Sequence, residues 1–454
     1  MVSDHSELVN LLRSWLPRQR WFAGKGRSLA EITIRGDVFI SDLLRHLVVE
    51  VRYTDGARAD LYQVPLAIRR DAPFGHEGFL VGDSSRGLVY DGLRDPEGAA
   101  ALFAFLRSGA ERDGLNCHVI AELEDLPAHA VTAEQSNTSI IFGESYILKV
   151  FRRLWPGLNP DIEVTRALAA AGSPHVATPL GWIEGRIDGS AGSAPTSLAF
   201  LQEYLRSGTE GWRLATASVR DLYAEGDLHA DEVGGDFAAE SERLGAATAE
   251  VHEMLAGALP TRIGDQGALD ATTALMHSRL DTALAAAPDL RPFEAALRKA
   301  YDEVSGQAHP PRLQRVHGDF HLGQVLRVDS GWVLFDFEGE PARPVTERTM
   351  LVPALVDVAG MLRSFDYAAR SLLLERSGEP SIVYRSQEWA DRNRDAFCAG
   401  YAAASGHDPR SDGVLLRAYE LDKAVYEVVY EARHRPAWLA IPLGSIERLA
   451  AQSV

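Results

Sequence analysis

One stretch constrains this chain more than any other: Arg315 to Pro341, RVHGDFHLGQVLRVDSGWVLFDFEGEP. It reads as a short loop followed by two strands, Gln324–Val328 and Trp332–Phe337, with Asp329, Ser330 and Gly331 as the turn between them. A hairpin there places Asp319 in the loop, Gln324 at the start of the first strand and Asp336 at the end of the second. Two carboxylates and an amide at those points can hold a hard divalent cation and orient a hydroxyl beside it.

The spacing is that of phosphoryl transfer, where catalysis is mostly positioning and charge neutralisation. In that chemistry an Asp-x-x-x-x-Asn run supplies a base and a metal-holding amide, and a later Asp-Phe-Gly supplies the carboxylate that bridges Mg²⁺ to phosphates. Here Asp319 takes the place of the base, Gln324 that of the Asn, and Asp336-Phe337-Glu338 that of Asp-Phe-Gly. Plainer readings stand beside this one. His317 and His321 flank Asp319 at i and i+4 as metal ligands do on a helix, but Gly318 interrupts such a helix. A loop acid ahead of a buried strand can also simply cap a turn.

Composition narrows the partners. At 454 residues the chain is too long for one ordinary core, so two or three packed units are expected. No run of 18 apolar residues exists, so no membrane span is expected, and the acids in MVSDHSELVNLLRSW argue against a signal peptide. Two isolated cysteines, Cys117 and Cys398, suit a reducing cytoplasm. A net charge of −18 repels nucleic acid and anionic lipid, so neither is expected as a partner.

Along the chain, residues 5–16 read as an amphipathic helix with Leu8, Leu11, Leu12 and Trp15 on one face. Gly24-Lys25-Gly26 reads as a turn, since no strand precedes it and no Ser or Thr directly follows the lysine. Ile32–Ile34, Val38–Ile40, Leu47–Tyr53 and Ala59–Ile68 read as strands of a small antiparallel sheet. Between strands at Ala130–Thr132 and Ser139–Phe142 lies Ala133-Glu134-Gln135-Ser136-Asn137-Thr138. Its Ser136, Asn137 and Thr138 are candidate donors to phosphate, though a polar hairpin loop is the commoner meaning. Lys149 interrupts an apolar strand, and Glu163 falls in the first turn of a helix opened by Asn159-Pro160; the pair matches a kinase strand lysine and helix glutamate. The competing reading is an outward lysine on an edge strand. Gln202-Glu203-Tyr204 end the strand after a Gly- and Ser-rich loop, where a hinge would meet adenine through its backbone. Helices are expected over Asp236–Ala256, with His252 a core residue, and over Ala268–Ala287, Arg291–Val304 and Leu415–Arg433. On the last, Tyr419, Asp422, Lys423, Tyr426 and Tyr430 share one face, which suits a sugar and equally a core stripe.

HGDFHLGQVL followed by FDFEGEPARP resembles the phosphotransferase motif of the aminoglycoside phosphotransferase-like kinases, part of the protein-kinase-like superfamily. Within them the chain is most similar to actinobacterial maltokinases, through QRWFAGKGR, EQSNTS, NPDIE, ATASVRDLYAEGDLHADEVGGDFAAES, DRNRDAFCAGYAAASG and ELDKAVYEVVYEARHRPAWLAIPLGSI. The resemblance spans nearly the whole chain. It implies an α+β, two-lobed protein-kinase-like fold, with a cap subdomain over 1–110, a nucleotide-binding lobe over 111–205 and a mainly helical lobe over 206–454. It implies ATP and Mg²⁺ as cofactors, maltose as acceptor, maltose 1-phosphate as product feeding α-glucan and glycogen synthesis, and trehalose synthase as a partner. Asp319 would then orient or deprotonate the anomeric hydroxyl, Gln324 and Asp336 hold the metal, and Lys149 with Glu163 hold phosphates. His317, Glu338 and Arg343 would position substrate, and Asp422, Lys423, Tyr426 and Tyr430 would line the sugar site. Asp357 resembles the aspartate that braces the catalytic loop, although the apolar run Thr349–Val356 before it departs from the maltokinase pattern. Two other readings are a kinase of another sugar, such as glucosamine, and a non-catalytic nucleotide-binding partner of a carbohydrate enzyme.

Overall fold

The computed structural model describes residues 2–71, 77–130, 136–187, 194–225, 228–340, 345–375 and 380–451. They form two compact units, one of residues 1–163 with 177–206, the other of 164–176 with 207–454.

The first unit opens with helix α1 (Val2–Trp15), whose Leu8, Leu12 and Trp15 are buried, as their spacing requires. It rests on an antiparallel sheet of β1 (Leu29–Phe39), β2 (Leu44–Tyr53), β3 (Asp60–Arg69), β4 (Leu80–Ser84) and β5 (Gly87–Asp91), ordered β1-β2-β3-β5-β4. The two strands expected at Ile32–Ile34 and Val38–Ile40 are one: a register shift between Ile34 and Gly36 lets the chain pass without a turn. Gly24-Lys25-Gly26 is a turn, as expected, with the Arg27 amide on the Gly24 carbonyl (3.1 Å) and the Arg27 guanidinium on Asp55 through two 2.8 Å bonds.

Helix α2 (Pro96–Arg107), capped by Asp95, leads to a second sheet. Its strands are β6 (Glu111–Arg112), β7 (Leu115–Val119), β8 (Ala128–Ala130), β9 (Thr138–Phe142) and β10 (Tyr146–Val150). Then come β11 (Arg153–Leu154), which joins β3 of the first sheet, and helix α3 (Pro160–Ala170). β12 (Pro179–Ile187) and β13 (Ala194–Glu203) complete the sheet, ordered β6-β7-β12-β13-β10-β9-β8. Gln63 of β3 fastens the sheets together: its amide donates to the carbonyls of Phe151 (2.7 Å) and Leu198 (2.5 Å), both buried.

The second unit is mainly helical. β14 (Thr209–Glu210) runs straight into α4 (Gly211–Ala224), followed by α5 (Ala238–Ala258). A short ladder of β15 (Arg262–Ile263) and β16 (Arg312–Leu313) brackets α6 (Gln266–Ala286) and α7 (Glu294–Ser305). The hairpin is β17 (Val325–Val328) and β18 (Gly331–Leu334), with β14 as its third strand. Helices α8 (Val345–Arg348), α9 (Leu355–Ser371), α10 (Pro380–Ser405), α11 (Gly413–His434) and α12 (Ala440–Ala451) close the unit. One core, from Val164 through Trp332 and Phe365 to Leu449, holds them. The hairpin strands are shorter than expected because Gln324 lies in a single 3₁₀ turn and Asp336 lies past the end of β18. Among the described residues no helix is long and apolar enough to cross a membrane.

Candidate active site

The loop ahead of β17 is fixed by a buried aspartate. Asp357, in the first turn of α9, accepts the backbone N–H of His317 (2.7 Å) and of Gly318 (2.8 Å), and the Nε2–H of His252 (3.0 Å). Burial opposes its charge, but His252, His317 and the Gly318 N–H outweigh that and lower its pKa. His252 on α5 is 1% exposed and accepts the Tyr401 hydroxyl at Nδ1 (3.0 Å), so it belongs to this brace, in keeping with its reading as a core residue. Gly318 sits at φ +81°, a conformation a side chain resists, which turns the loop outward toward Asp319. The apolar run before Asp357 has a plain role: Val352 and Gln314 exchange backbone bonds of 2.9 Å beside the loop.

His317 was expected to touch substrate. It is 2% exposed, and its Nε2–H donates to the Phe335 carbonyl (2.9 Å), so it ties the Asp319 loop to the segment carrying Asp336. With His321 Nδ1 turned instead to the Gly323 N–H (3.0 Å), the two imidazoles serve different partners, and nothing in their bonding supports a shared metal. Asp336 adopts φ +68°, a left-handed backbone uncommon outside glycine and concentrated at functional sites. The Gln324 amide lies 3.2 Å from Asp336 Oδ2. Gln324 and Asp336 thus stand side by side, an amide and a carboxylate of the kind that would hold a hard divalent cation.

Asp319 meets α11. Lys423 Nζ donates to its Oδ1 at 3.1 Å and lies 4.0 Å from Glu340 Oε1. Burial alone would raise the Asp319 carboxyl, but Lys423 and His321 outweigh it and hold it at about 2. Burial works against the Lys423 ammonium as well, yet Asp319 and Glu340 raise it above an ordinary lysine. Burial pushes His321 down to about 4, so its ring is neutral near pH 7. Asp319, His321, Lys423, Tyr426 and Tyr430 share one cavity of about 700 Å³ in the second unit, walled further by Glu210, Trp212 and Trp438. That volume suits a small polar molecule.

Other expected residues fall elsewhere. Asp422 turns to α6, where Arg279 bonds it at 2.6 Å, and is not part of the cavity wall; one helical position separates it from Lys423, enough to face a different neighbour. Glu338 is likewise not in that wall, and its carbonyl receives Arg348 (3.1 Å). Arg343 lies outside the described residues, as do 133–135 of the expected phosphate loop. Ser136 is exposed and Asn137 half-buried, whereas Thr138 is 3% exposed in β9 and accepts from Arg152 (2.8 Å), which removes it from any loop. Lys149 meets a helix acid: it bonds Asp161 (2.9 Å), two residues before Glu163 in the first turn of α3. The N–H groups of Glu203 and Tyr204 bond Thr178 (2.9 Å) and Ser145 (2.8 Å), while Gln202 pairs with Ile147 across the sheet, so these amides serve the sheet itself. Glu210, Trp212, His321 and Trp438 were missed as lining residues; only His321, two residues past His-Gly-Asp, carried a signal in the sequence.

A model described as the phosphotransferase enzyme family matches residues 128–407, well over half of the chain and inclusive of every loop and hairpin residue above. The chain belongs to that family. A model of the maltokinase N-terminal cap domain matches residues 15–95. The family member "Glucosamine kinase" of Streptacidiphilus jiangxiensis is 30% identical over 439 residues, 92% of each chain. Another of that name, from Mycolicibacterium smegmatis, is 29% identical over 330 residues, 70% of this chain and 78% of its own. A solved glucosamine kinase in complex with glucosamine, ADP and inorganic phosphate superposes with a TM-score of 0.69 at 24% identity, over 97% of this chain and 98% of that one. A second crystal form gives 0.72. The fold is therefore the mixed α+β, kinase-like one expected of the motif.

Proposed function

We propose that this phosphotransferase is an ATP-dependent sugar kinase. The observation that carries this reading is Asp319, held charged by Lys423 at the edge of a cavity walled by Tyr426, Tyr430, Trp212 and Trp438. Aromatic faces pack on the C–H patches of a sugar while carboxylate and ammonium take its hydroxyls. A carboxylate near pKa 2 is a weak base, so Asp319 orients the attacking hydroxyl and receives its proton late, as a loose phosphoryl transition state allows. Lys423 places that carboxylate, and Asp357, His252 and His317 fix the loop beneath it. Gln324 and Asp336 are the residues that would hold Mg²⁺, which when bound neutralises charge on the transferring phosphoryl group. Lys149, anchored by Asp161, is the cation for the nucleotide phosphates.

Glucosamine is the first acceptor to test, because a relative of that name is 30% identical over 92% of each chain. Maltose, giving maltose 1-phosphate for α-glucan synthesis, is the second, on the strength of the cap match. The test is to incubate the protein with ATP, Mg²⁺ and each sugar and to identify the product by mass. A phosphorylated sugar supports the reading; ATP hydrolysis with every sugar left unmodified counts against it.

A further inference from the structure

Four acids line the cavity, and three of them are already paired. Asp319 holds Lys423, Glu427 holds Arg363 (2.8 Å) and Glu431 holds Arg435 (2.6 Å). Glu210 is the exception: among the described residues its carboxylate makes no hydrogen bond or ion pair. Its position offers a structural task that it does not perform. Glu210 occupies the N-cap of α4 with extended backbone, φ −61° and ψ 133°, yet its side chain makes no capping bond. The carboxylate instead lies against Gly323, where a side-chain carbon would come within 3.3 Å of Oε1 and 2.8 Å of the His321 ring. Only a glycine leaves room for both groups there. His321 Nδ1 accepts the Gly323 N–H, so the proton of the neutral ring is on Nε2, a donor. The cavity thus sets an unspent carboxylate and a neutral imidazole donor on either side of one glycine, with Trp212 two residues along.

We propose that Glu210 recognises the ammonium group of an amino-sugar acceptor. This rests on the sugar-kinase reading and names the substrate class of the same cavity. A half-buried carboxylate without a partner gains most from a ligand that brings a positive charge, and a neutral hydroxyl repays it less. Burial raises the pKa of Glu210 and Arg213 only partly offsets this, in keeping with a carboxylate whose counter-charge arrives with the ligand. His321 Nδ1 is taken by the Gly323 N–H, which leaves its Nε2–H to serve a sugar oxygen.

The experiment compares the wild type with Glu210→Gln on glucosamine and glucose, which differ only in the amino group, by kcat/KM and by calorimetric binding. The expected result is a fall of about tenfold or more in the glucosamine-to-glucose ratio, through the KM for glucosamine, with an unchanged thermal melt. An unchanged ratio overturns the assignment. A wild type that phosphorylates maltose but neither uses nor binds glucosamine also overturns it, while leaving the kinase reading intact. If no sugar is phosphorylated the kinase reading falls, and Glu210-dependent binding of glucosamine, present or absent, still decides this inference.

Discussion

At the residue scale the account turns on Asp319 and Lys423. The ordinary carboxylate value is 3.8, and Asp319 stands below it at about 2, so it is charged throughout any practical assay range. The acid limb of the activity profile therefore belongs to another group in the wild type. Lys423→Met removes the cation and leaves the burial that opposes charge, so the Asp319 pKa rises. We expect that pKa to move upward by about one unit or more in the variant. An NMR titration of the Asp319 carboxyl in both proteins checks this, and an unmoved pKa shows that Lys423 does not set the charge of Asp319. The sequence singled out Asp319, Gln324, Asp336, Lys423, Tyr426 and Tyr430, and the structure brings Asp319 to Lys423 and Gln324 to Asp336, with Tyr426 and Tyr430 in the Asp319 cavity. Asp422 was misplaced because one helix presents adjacent positions to different neighbours, here Arg279 against Asp319. Lys149 was paired with Glu163 on the kinase pattern, and the structure adds Asp161 of the same first turn, at 2.9 Å.

At the element scale, what makes the hairpin a site is the brace behind it. Asp357 satisfies the buried His317 N–H and His252 imidazole and the half-buried Gly318 N–H, and no other described residue takes those bonds. Asp357→Ala strands all three donors, so we expect a loss of about 3–5 kcal/mol, read as a lower denaturant midpoint. The same group sets an acid response. Its folded pKa is depressed, so its stabilisation is full above the ordinary value near 3.8 and is lost as pH falls through the lower folded one. The Asp357→Ala protein should accordingly show a weaker dependence of stability on pH in that acid window. Wild-type stability in the variant would mean that the loop is held by the hairpin alone. The hairpin itself was legible from turn residues and apolar strands. Its ends were not, since Gln324 and Asp336 leave the ladder to face one another, and that contact is tertiary.

At the scale of the whole molecule, strands and helices could be read from periodicity, but the joining of the cap sheet to the next sheet could not. It depends on Gln63, a polar residue inside an apolar strand, and on the buried Arg152–Asp91 pair (2.5 Å). Gln63→Met removes two donors from buried carbonyls and should cost about 1–3 kcal/mol. A thermal melt reads this, and an unchanged melting temperature would show that apolar packing alone joins the sheets. The two sheets form one unit by this fastening, whereas Asp319, its brace and its cavity are all built within the other.

On the proposed function, this chain moves a phosphoryl group from ATP to a sugar held beside Asp319. Sugar-dependent ADP release, followed for the wild type and Asp319→Asn across glucosamine, maltose and glucose, tests it most directly. The account predicts release that depends on the sugar and falls by at least about two orders of magnitude in the near-isosteric variant, with the melt unchanged. Release that ignores the sugar, or an Asn variant of near-native turnover, would contradict it.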